Sequence, residues 1–556
     1  MATQSPSREE IAKKEIGITR ITRAHSKMLI LGFVLGLFTV PLVQSFYDTH
    51  LQQNSAGKRF TKTFTVLTQE DYLNKSPLSQ IFNRNTQFLK ELSEFETKLE
   101  ESSFLRKLLL QTVQEFMLLF LGQGNEKAYL GQDNWLFYVQ DLQYQYSQGF
   151  LDSAQLKRRS TSNEVWEAPI QPDPHIAIIH FQQELAKRNI ELLLLPIPVK
   201  GVIYPDRIVA HKTFSSPVHN RSWNEFMSRL EQAQVDVFSA DNVLYTYEKE
   251  HLTPAYLRSD THWTADATRY VAHKLATYLF EKYDLAPGTA FFNKTVVEVT
   301  NRGDIADMLH LGPTLLSHFT ETVSIEKIEG HSQNQSQILF LGDSFSNIYS
   351  SAAMGWGEYG GFTEHLAYAL KQELDVIVQN DSGAHATRLA LSKDLLRGSD
   401  RLAGKKLVIW QFAVRELAFG DWKIIPLELR APEPSAFYVA TSGETIKVSG
   451  EIREISDSPN PQEVPYKDNI VTIHLADLEI KGEKHKNQDA LVYSLGMRNK
   501  VLTDIAKKKR GERITLNLQD WFDREHEYSG IRRSPLNNDM VELEPPNWGE
   551  LVDDEK

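Results

Sequence analysis

Residues 338–346 read Ile-Leu-Phe-Leu-Gly-Asp-Ser-Phe-Ser, an apolar run that passes straight into Gly342-Asp343-Ser344. Four consecutive apolar residues of this kind read as a strand buried on both faces of a parallel sheet. A glycine at its end permits a tight turn that other residues would strain. Open parallel sheets bind their ligands beyond the carboxyl ends of the strands. The stretch therefore predicts an α/β fold with the Ser344 hydroxyl aimed into that crevice, its own backbone N–H able to face a developing oxyanion. A Gly-Asp-Ser tripeptide alone specifies no reaction.

The same pattern extends to both sides. Apolar runs at Ile190–Leu195, Val235–Phe238, Leu374–Val378 and Leu407–Phe412 read as further buried strands. Helical patterns at Ile176–Lys187, Trp223–Ala233, Ala265–Lys282 and Thr387–Leu396 separate most of them. Thr264 supplies an N-cap for the third helix, with Asp266 in its first turn. Strands alternating with helices predict a mainly parallel sheet with helices on both faces, over residues 125–430.

A second chemical signal lies ahead of the 265–282 helix, in Ser259-Asp-Thr-His-Trp-Thr264. A serine hydroxyl is a poor nucleophile and needs an adjacent base; histidine supplies one, and a carboxylate fixes its tautomer. In an extended segment residues i and i+2 share a side, so Asp260 and His262 suit that pairing. A surface loop whose aspartate caps a nearby backbone fits the same residues. A metal site would need a further histidine or carboxylate at ligand spacing, and the neighbouring sequence offers none.

Together these stretches resemble the alginate O-acetyltransferase-like branch of the SGNH hydrolase superfamily, from about Gly131 to Trp422. Gly131–Tyr138 (GQDNWLFY) looks like the family's entry motif and Leu195–Pro205 (LPIPVKGVIYP) like its first strand and loop. Asp260-Thr261-His262-Trp263 matches its Asp-x-His-Trp motif, Gly342-Asp343-Ser344-Phe345 its nucleophile block, and Trp410–Arg415 (WQFAVR) its last strand and loop. Ordinary SGNH hydrolases place the serine early and Asp-x-x-His late. Here Asp-x-His comes first, the permuted order of the alginate-acetylation branch.

The resemblance implies Ser344 as nucleophile, His262 as base and Asp260 as its orienting partner. It also makes Arg388 similar to a family arginine at the active site, where a guanidinium binds a carboxylate or an oxyanion; pairing with Asp381 is the structural alternative. Asn380, in the Asn380–Arg388 stretch, and Arg415 are candidates for oxyanion or substrate contacts. Lys200 reads as a polymer contact or a solvated loop lysine. The family tyrosine near the last strand has no counterpart, since Leu417 stands about where it belongs. Trp263 reads as packing behind the Asp-x-His loop. Tyr144, Tyr146, Phe150 and Trp166 read either as a stacking platform for sugar or as core cover.

The N-terminus bears on location. Residues 28–46 (MLILGFVLGLFTVPLVQSF) carry no charge, and about 19 residues at 1.5 Å rise just span a hydrocarbon core of roughly 30 Å. Lys13, Lys14, Arg20, Arg23 and Lys27 precede them and would hold residues 1–27 in the cytoplasm. The expectation is a single-pass inner-membrane anchor with the rest in the periplasm; the rival is a cleaved signal peptide with a poor site at Val43 and Ser45. Residues 47–124 read as a helical connector with apolar stripes at Phe88–Leu99 and Leu105–Phe120, the second stopping at Gly122; such a stripe suits a partner-binding or membrane-surface helix, or more often packs on the domain that follows, the reading favoured here.

Pro432 and Pro434 mark a change of composition. Period-2 segments at Ile446–Ile455, Ile470–Leu478, Leu491–Met497 and Ile514–Leu518 then predict a small all-β barrel or sandwich over 431–549, with an acidic tail at 550–556. With 556 residues, 41% hydrophobic and 24% charged, the chain is an ordinary multidomain globular protein. A net charge of −12 argues against nucleic acid as partner. No cysteine is present, which excludes disulfides and thiolate chemistry.

The function expected from the resemblance is transfer of acetyl groups through a serine ester to hydroxyls of an extracellular polysaccharide, without cofactor or metal. A membrane-bound O-acyltransferase would be the acetyl donor and the β-domain a carbohydrate-binding accessory. An acetyl esterase with the same residues and a non-catalytic polysaccharide-binding scaffold of an export complex are the alternatives.

Overall fold

Each of the five apolar runs forms a strand, because leucine, isoleucine and valine on consecutive positions are stable only where both faces of the sheet are covered. In the computed structural model these are β1 (Glu191–Ile197), β2 (Asp236–Val237), β5 (Ile338–Gly342), β6 (Asp375–Val378) and β7 (Leu407–Ala413). They form one all-parallel sheet in the order β2-β1-β7-β5-β6. The structure describes residues 22, 24–35, 39, 103–161, 169–283, 285–331, 336–380, 384–431, 435–461 and, apart from 465, 481–482, 485–488, 529, 537 and 539–540, residues 464–552.

The chain divides into two compact units, Met1–Phe116 and Met117–Lys556. Helix α1 (Phe104–Leu121) ends at Gly122, whose φ of 60° is the left-handed conformation that glycine adopts freely. In its last turn Leu118 packs against the Ile305–Phe319 cluster, while Leu119, Phe120 and Leu121 remain exposed. Over this turn the one residue of the expected stripe, Phe120, is exposed, and the contact with the domain is made by Leu118 instead. The 88–99 stripe lies outside the described residues. So does most of the expected anchor: 24–35 is helical, but 36–38 and 40–46 are not described, and no helix among the described residues is long and apolar enough to cross a membrane.

Helix α2 (Pro174–Ala186) leads into β1, and the crossovers that follow carry α3 (Trp223–Gln232), α4 (Ala240–His251) and α5 (Ala265–Lys282). Thr264 caps α5 by accepting from Ala267 N. The excursion between α5 and β5 is the main feature that the sequence did not announce. It is a hairpin of two twelve-residue strands, β3 (Phe291–Arg302) and β4 (Thr320–His331), paired residue for residue and joined through α6 (Asp304–Met308). Beyond β5 follow α7 (Ser344–Asn347), α8 (Phe362–Leu370) and α9 (Ala386–Leu396). Leu193–Leu195, Ile338–Leu341 and Val408–Trp410 are buried at the centre of the core. Each such side chain contributes about 1.5–3 kcal/mol.

The C-terminal part is a β-barrel. Strands β8 (Ile446–Ile455), β9 (Asn469–Ile480), β10 (Ala490–Arg498), β11 (Arg513–Asp520) and β12 (Pro546–Leu551) close a ring in the order β9-β8-β11-β12-β10-β9. Closure leaves no unpaired edge within the ring. Alternate residues such as Val448, Ile473, Val492 and Leu516 fill its interior. Glu550 and Leu551, expected in the acidic tail, instead pair with Asn517 and Leu516 in the last strand pair.

Candidate active site

Ser344 leaves the carboxyl end of β5 as the first residue of α7 and is 4% exposed. The turn that delivers it is clasped to the neighbouring strand. Asp343 caps α7 by accepting from Phe345 N at 2.9 Å, and its carboxylate also accepts from Gln411 Nε2 at 2.6 Å and Ala413 N at 2.8 Å. Gln411 Oε1 accepts in return from Asp343 N at 2.8 Å and Ser346 Oγ at 2.6 Å. Gly342 is required here: a Cβ would overlap Ser346 Oγ and the Phe340 ring. As the first residue of a helix, Ser344 has no intrahelical acceptor for its N–H.

His262 reaches this serine from the loop between α4 and α5. Its Nε2 lies 2.9 Å from Ser344 Oγ and its Nδ1 2.6 Å from Asp260 Oδ1. Asp260 can only accept, so Nδ1 carries the proton and Nε2 faces the hydroxyl as acceptor. Both Asp260 oxygens are satisfied: Oδ1 also accepts from His262 N at 3.1 Å, and Oδ2 accepts from Trp356 Nε1 at 2.8 Å and Asp304 N at 3.1 Å. The Trp263 indole donates to Phe345 O at 2.9 Å, and Tyr349 Oη donates to Trp263 O at 2.8 Å. Trp263 is therefore fully buried packing that ties the histidine loop to the serine helix.

The electrostatics follow from burial and pairing. Burial opposes ionisation of Asp260, but the His262 hydrogen bond and charge, with Trp356 and the Asp304 amide, hold its carboxyl below the usual range. Burial likewise disfavours the His262 cation, yet the Asp260 bond and charge outweigh it and hold the imidazole above its ordinary value.

Two carboxylates that the sequence did not single out, one at the start of α6 and one in β4, secure this arrangement. Asp304 accepts from Thr261 N at 2.8 Å and Thr261 Oγ1 at 2.6 Å. Glu321 accepts from Arg258 N at 2.9 Å, Ser259 N at 2.8 Å and Ser259 Oγ at 2.6 Å. Asp304 also corrects the expectation that no further carboxylate approaches the pair: ligand atoms of Asp260, His262 and Asp304 lie within 4.8 Å of one another. Both imidazole nitrogens and both Asp260 oxygens are engaged by protein groups, so the cluster reads as a closed hydrogen-bond network.

The remaining candidates separate. Arg415 lines the cavity over Ser344 and pairs with buried Asp141 at 3.1 Å. Asn380 stands behind that wall, accepting from Asn347 Nδ2 at 3.3 Å and facing the sulfur of Met354. Arg388 is not among the residues lining the cavity over Ser344. It is 1% exposed, lies 4.6 Å over the Trp410 ring and donates to Lys423 O at 2.9 Å; Asp381 lies outside the described residues. Lys200 is neither a polymer contact nor solvated. It is 1% exposed and donates to Leu136 O at 2.8 Å and Arg258 O at 3.3 Å, supporting the histidine loop from beneath. Burial pulls its ammonium down to about 8 against the surrounding carboxylates. Leu417, at the place of the family tyrosine, is fully buried. Tyr144 and Phe150 are core residues, Tyr146 is 48% exposed, and Trp166 is not described.

The cavity is lined by His262, Ser344, Asp304 and Arg415, and the barrel closes one side with Tyr466, Lys467 and Arg532. The barrel thus contributes directly to the wall over Ser344.

Residues 128–414, just over half of the chain, match the family of SGNH hydrolase-like domains of the acetyltransferase AlgX. The chain belongs to this family. It is 26% identical over 195 residues to the probable alginate O-acetylase AlgJ of Pseudomonas aeruginosa, covering 34% of this chain and 43% of that protein. The AlgJ relative of Azotobacter vinelandii is 23% identical over 329 residues, covering 58% of this chain and 78% of that one. Among solved structures, the O-acetyltransferase domain of Pseudomonas putida AlgJ aligns with a TM-score of 0.39 and 20% identity, over 52% of this chain and 92% of that domain.

Proposed function

We propose that the chain is an O-acetyltransferase that carries acetyl groups on Ser344 and delivers them to hydroxyls of an extracellular polysaccharide. The observation that carries this reading is the continuous line Asp260 Oδ1–His262 Nδ1, His262 Nε2–Ser344 Oγ, at 2.6 and 2.9 Å. Membership of an acetyltransferase family and the similarity to probable alginate O-acetylases support acetyl as the group.

The geometry allows a two-step exchange. His262 Nε2 takes the proton from Ser344 Oγ as the oxygen attacks the acetyl carbonyl of the donor ester. The Ser344 N–H faces the developing oxyanion, and Arg415 contributes positive charge from the cavity wall. His262 then returns its proton to the departing donor oxygen, leaving acetyl on Ser344. A sugar hydroxyl enters, gives its proton to His262 and takes the acetyl group, and His262 reprotonates Ser344. Asp260 stays ionised throughout and stabilises the imidazolium.

The donor in this proposal is a membrane-bound O-acyltransferase, which residues 28–46 would keep nearby as an uncleaved anchor with the enzyme in the periplasm. The barrel, through Tyr466, Lys467 and Arg532, would guide the polymer to Ser344. The test is product analysis with a chromogenic acetyl ester and a polysaccharide acceptor, wild type against Ser344→Ala. Acetylated polymer from wild type alone supports the proposal. Free acetate as the sole product would make the enzyme an esterase, and equal acetylation by both would remove Ser344 from the reaction.

A further inference from the structure

Asp304 takes no part in the two proton transfers, yet it touches both groups that flank the imidazole. Its N–H donates to Asp260 Oδ2 at 3.1 Å, and its carboxylate accepts the Thr261 hydroxyl at 2.6 Å. The Thr261 oxygen stands 3.1 Å from His262 Nδ1, whose proton Asp260 receives at 2.6 Å. A hydroxyl that donates to Asp304 turns its lone pairs toward the imidazole. The Nδ1 proton is therefore shared between a short bond to Asp260 and a longer one to Thr261, and the second leads to Asp304.

The backbone fixes this contact. Gly303 N donates to Ser259 Oγ at 3.2 Å and Ala306 N to Ser259 O at 3.2 Å, so α6 begins against the histidine loop. A Cβ at Gly303 would overlap the Ser259 carbonyl and the Asp260 amide. Only a chain without a side chain at 303 comes close enough for Asp304 to reach both partners.

We propose that Asp304 is a positioning residue for the acyl transfer: through Thr261 it holds Asp260 and His262 in register with Ser344, and it keeps a second carboxylate beside the imidazolium formed when Ser344 loses its proton. This rests on the proposed roles of Ser344 and His262. Glu321 differs. It grips the loop at Arg258 and Ser259 but has no hydrogen-bonded path to the ring.

The charged groups around His262 come from several elements. Asp260 lies on its own loop, Asp304 on α6, Asp141 on the short helix Val139–Tyr146, and Arg415 after β7. Lys200 lies under the loop and faces Asp260, Asp304, Asp141 and Glu321. Arg415 opposes the imidazolium and the carboxylates favour it. Burial first, then the Asp260 charge, push the Asp304 carboxyl upward, as expected for an acid that must share its site with another. Protonation would make Asp304 the donor to Thr261 and reverse the relay.

The experiment is the pH profile of kcat/KM for hydrolysis of p-nitrophenyl acetate by the full chain as wild type, Asp304→Asn, Thr261→Val, Glu321→Gln and Ser344→Ala. Asp304→Asn should move the acid limb down by about 1 unit, because the imidazolium loses a neighbouring carboxylate, and lower kcat more than it raises KM. Thr261→Val should move the limb in the same direction, and it carries the test alone if Asp304→Asn does not fold. Glu321→Gln should lower kcat with the limb in place. Limbs that superimpose on wild type in Asp304→Asn and Thr261→Val overturn the proposal, as does an equal shift in Glu321→Gln. Activity retained by Ser344→Ala would instead overturn the acyl-enzyme reading, so the two failures are distinguishable.

Discussion

His262 Nε2 stands 2.9 Å from Ser344 Oγ although 82 residues of chain separate them. The fold brings them together through two anchored loops, one clasped by Asp343 and Gln411 and the other by Asp304 and Glu321. Neither side chain has freedom to search for the other, which is the preorganisation that base-assisted attack needs.

Ser344→Ala and His262→Ala should each lower kcat/KM for p-nitrophenyl acetate by at least about 10²–10⁴-fold, the span of a single general-base contribution. The double variant should be little worse than either alone, because residues acting as one unit are not additive. Steady-state kinetics on the three proteins, with melting curves to confirm folding, check this.

The pH dependence follows from the direction of the His262 shift. In the proposed reaction the neutral imidazole is the base, and its value is held above the ordinary histidine value. Activity should therefore fall as pH drops through a midpoint above about 6.5. Asp260→Asn removes the main source of the rise and should bring that midpoint down, with kcat lowered at every pH. The stability sign is opposite for the partner. Asp260 is held low, so its contribution is present above about 3.9 and is lost as pH falls through the folded value.

How much of this was readable before folding differs element by element. The five parallel strands were legible because each is a short, mostly apolar run, with Ile338–Leu341 unbroken and the other four interrupted by a single polar residue; Ala265–Lys282 was legible because Thr264 caps it. The β3–β4 hairpin was not, since Phe291 and Val296 remain 76% and 65% exposed and no residue of β3 is fully buried. With the hairpin hidden, so were its carboxylates: Asp304 reaches Thr261 from 43 residues away and Glu321 reaches Ser259 from 62. Lys200 misled because all four residues of its short helix, Lys200–Ile203, are buried. Arg388 sits in a family-like segment, but its guanidinium is buried over the Trp410 ring.

Arg415 and Asp141 form a buried pair, 11% and 1% exposed as side chains. Removing one partner strands a charge. Arg415→Met should destabilise the protein by about 3–5 kcal/mol. Asp141→Asn added to Arg415→Met should recover a large part of that loss. Urea unfolding of the two variants is the measurement.

Gly303→Ala tests the contact that seats α6 against the histidine loop. The new Cβ meets backbone atoms of Ser259 and Asp260, which have nowhere to yield. Acetyl-ester hydrolysis should fall by about 10²-fold, the cost of misplacing a reacting group by about an ångström. A neutral result would mean that the loop tolerates displacement.

The central claim is that Ser344 carries the acetyl group. The most direct measurement is acid-quenched peptide mass spectrometry after brief exposure of the full chain to p-nitrophenyl acetate. The account predicts one acetyl group on the peptide containing Ser344, absent from Ser344→Ala and removed on adding polysaccharide acceptor. Turnover by wild type without acetyl on Ser344, or with acetyl on another residue that the acceptor discharges, would contradict it.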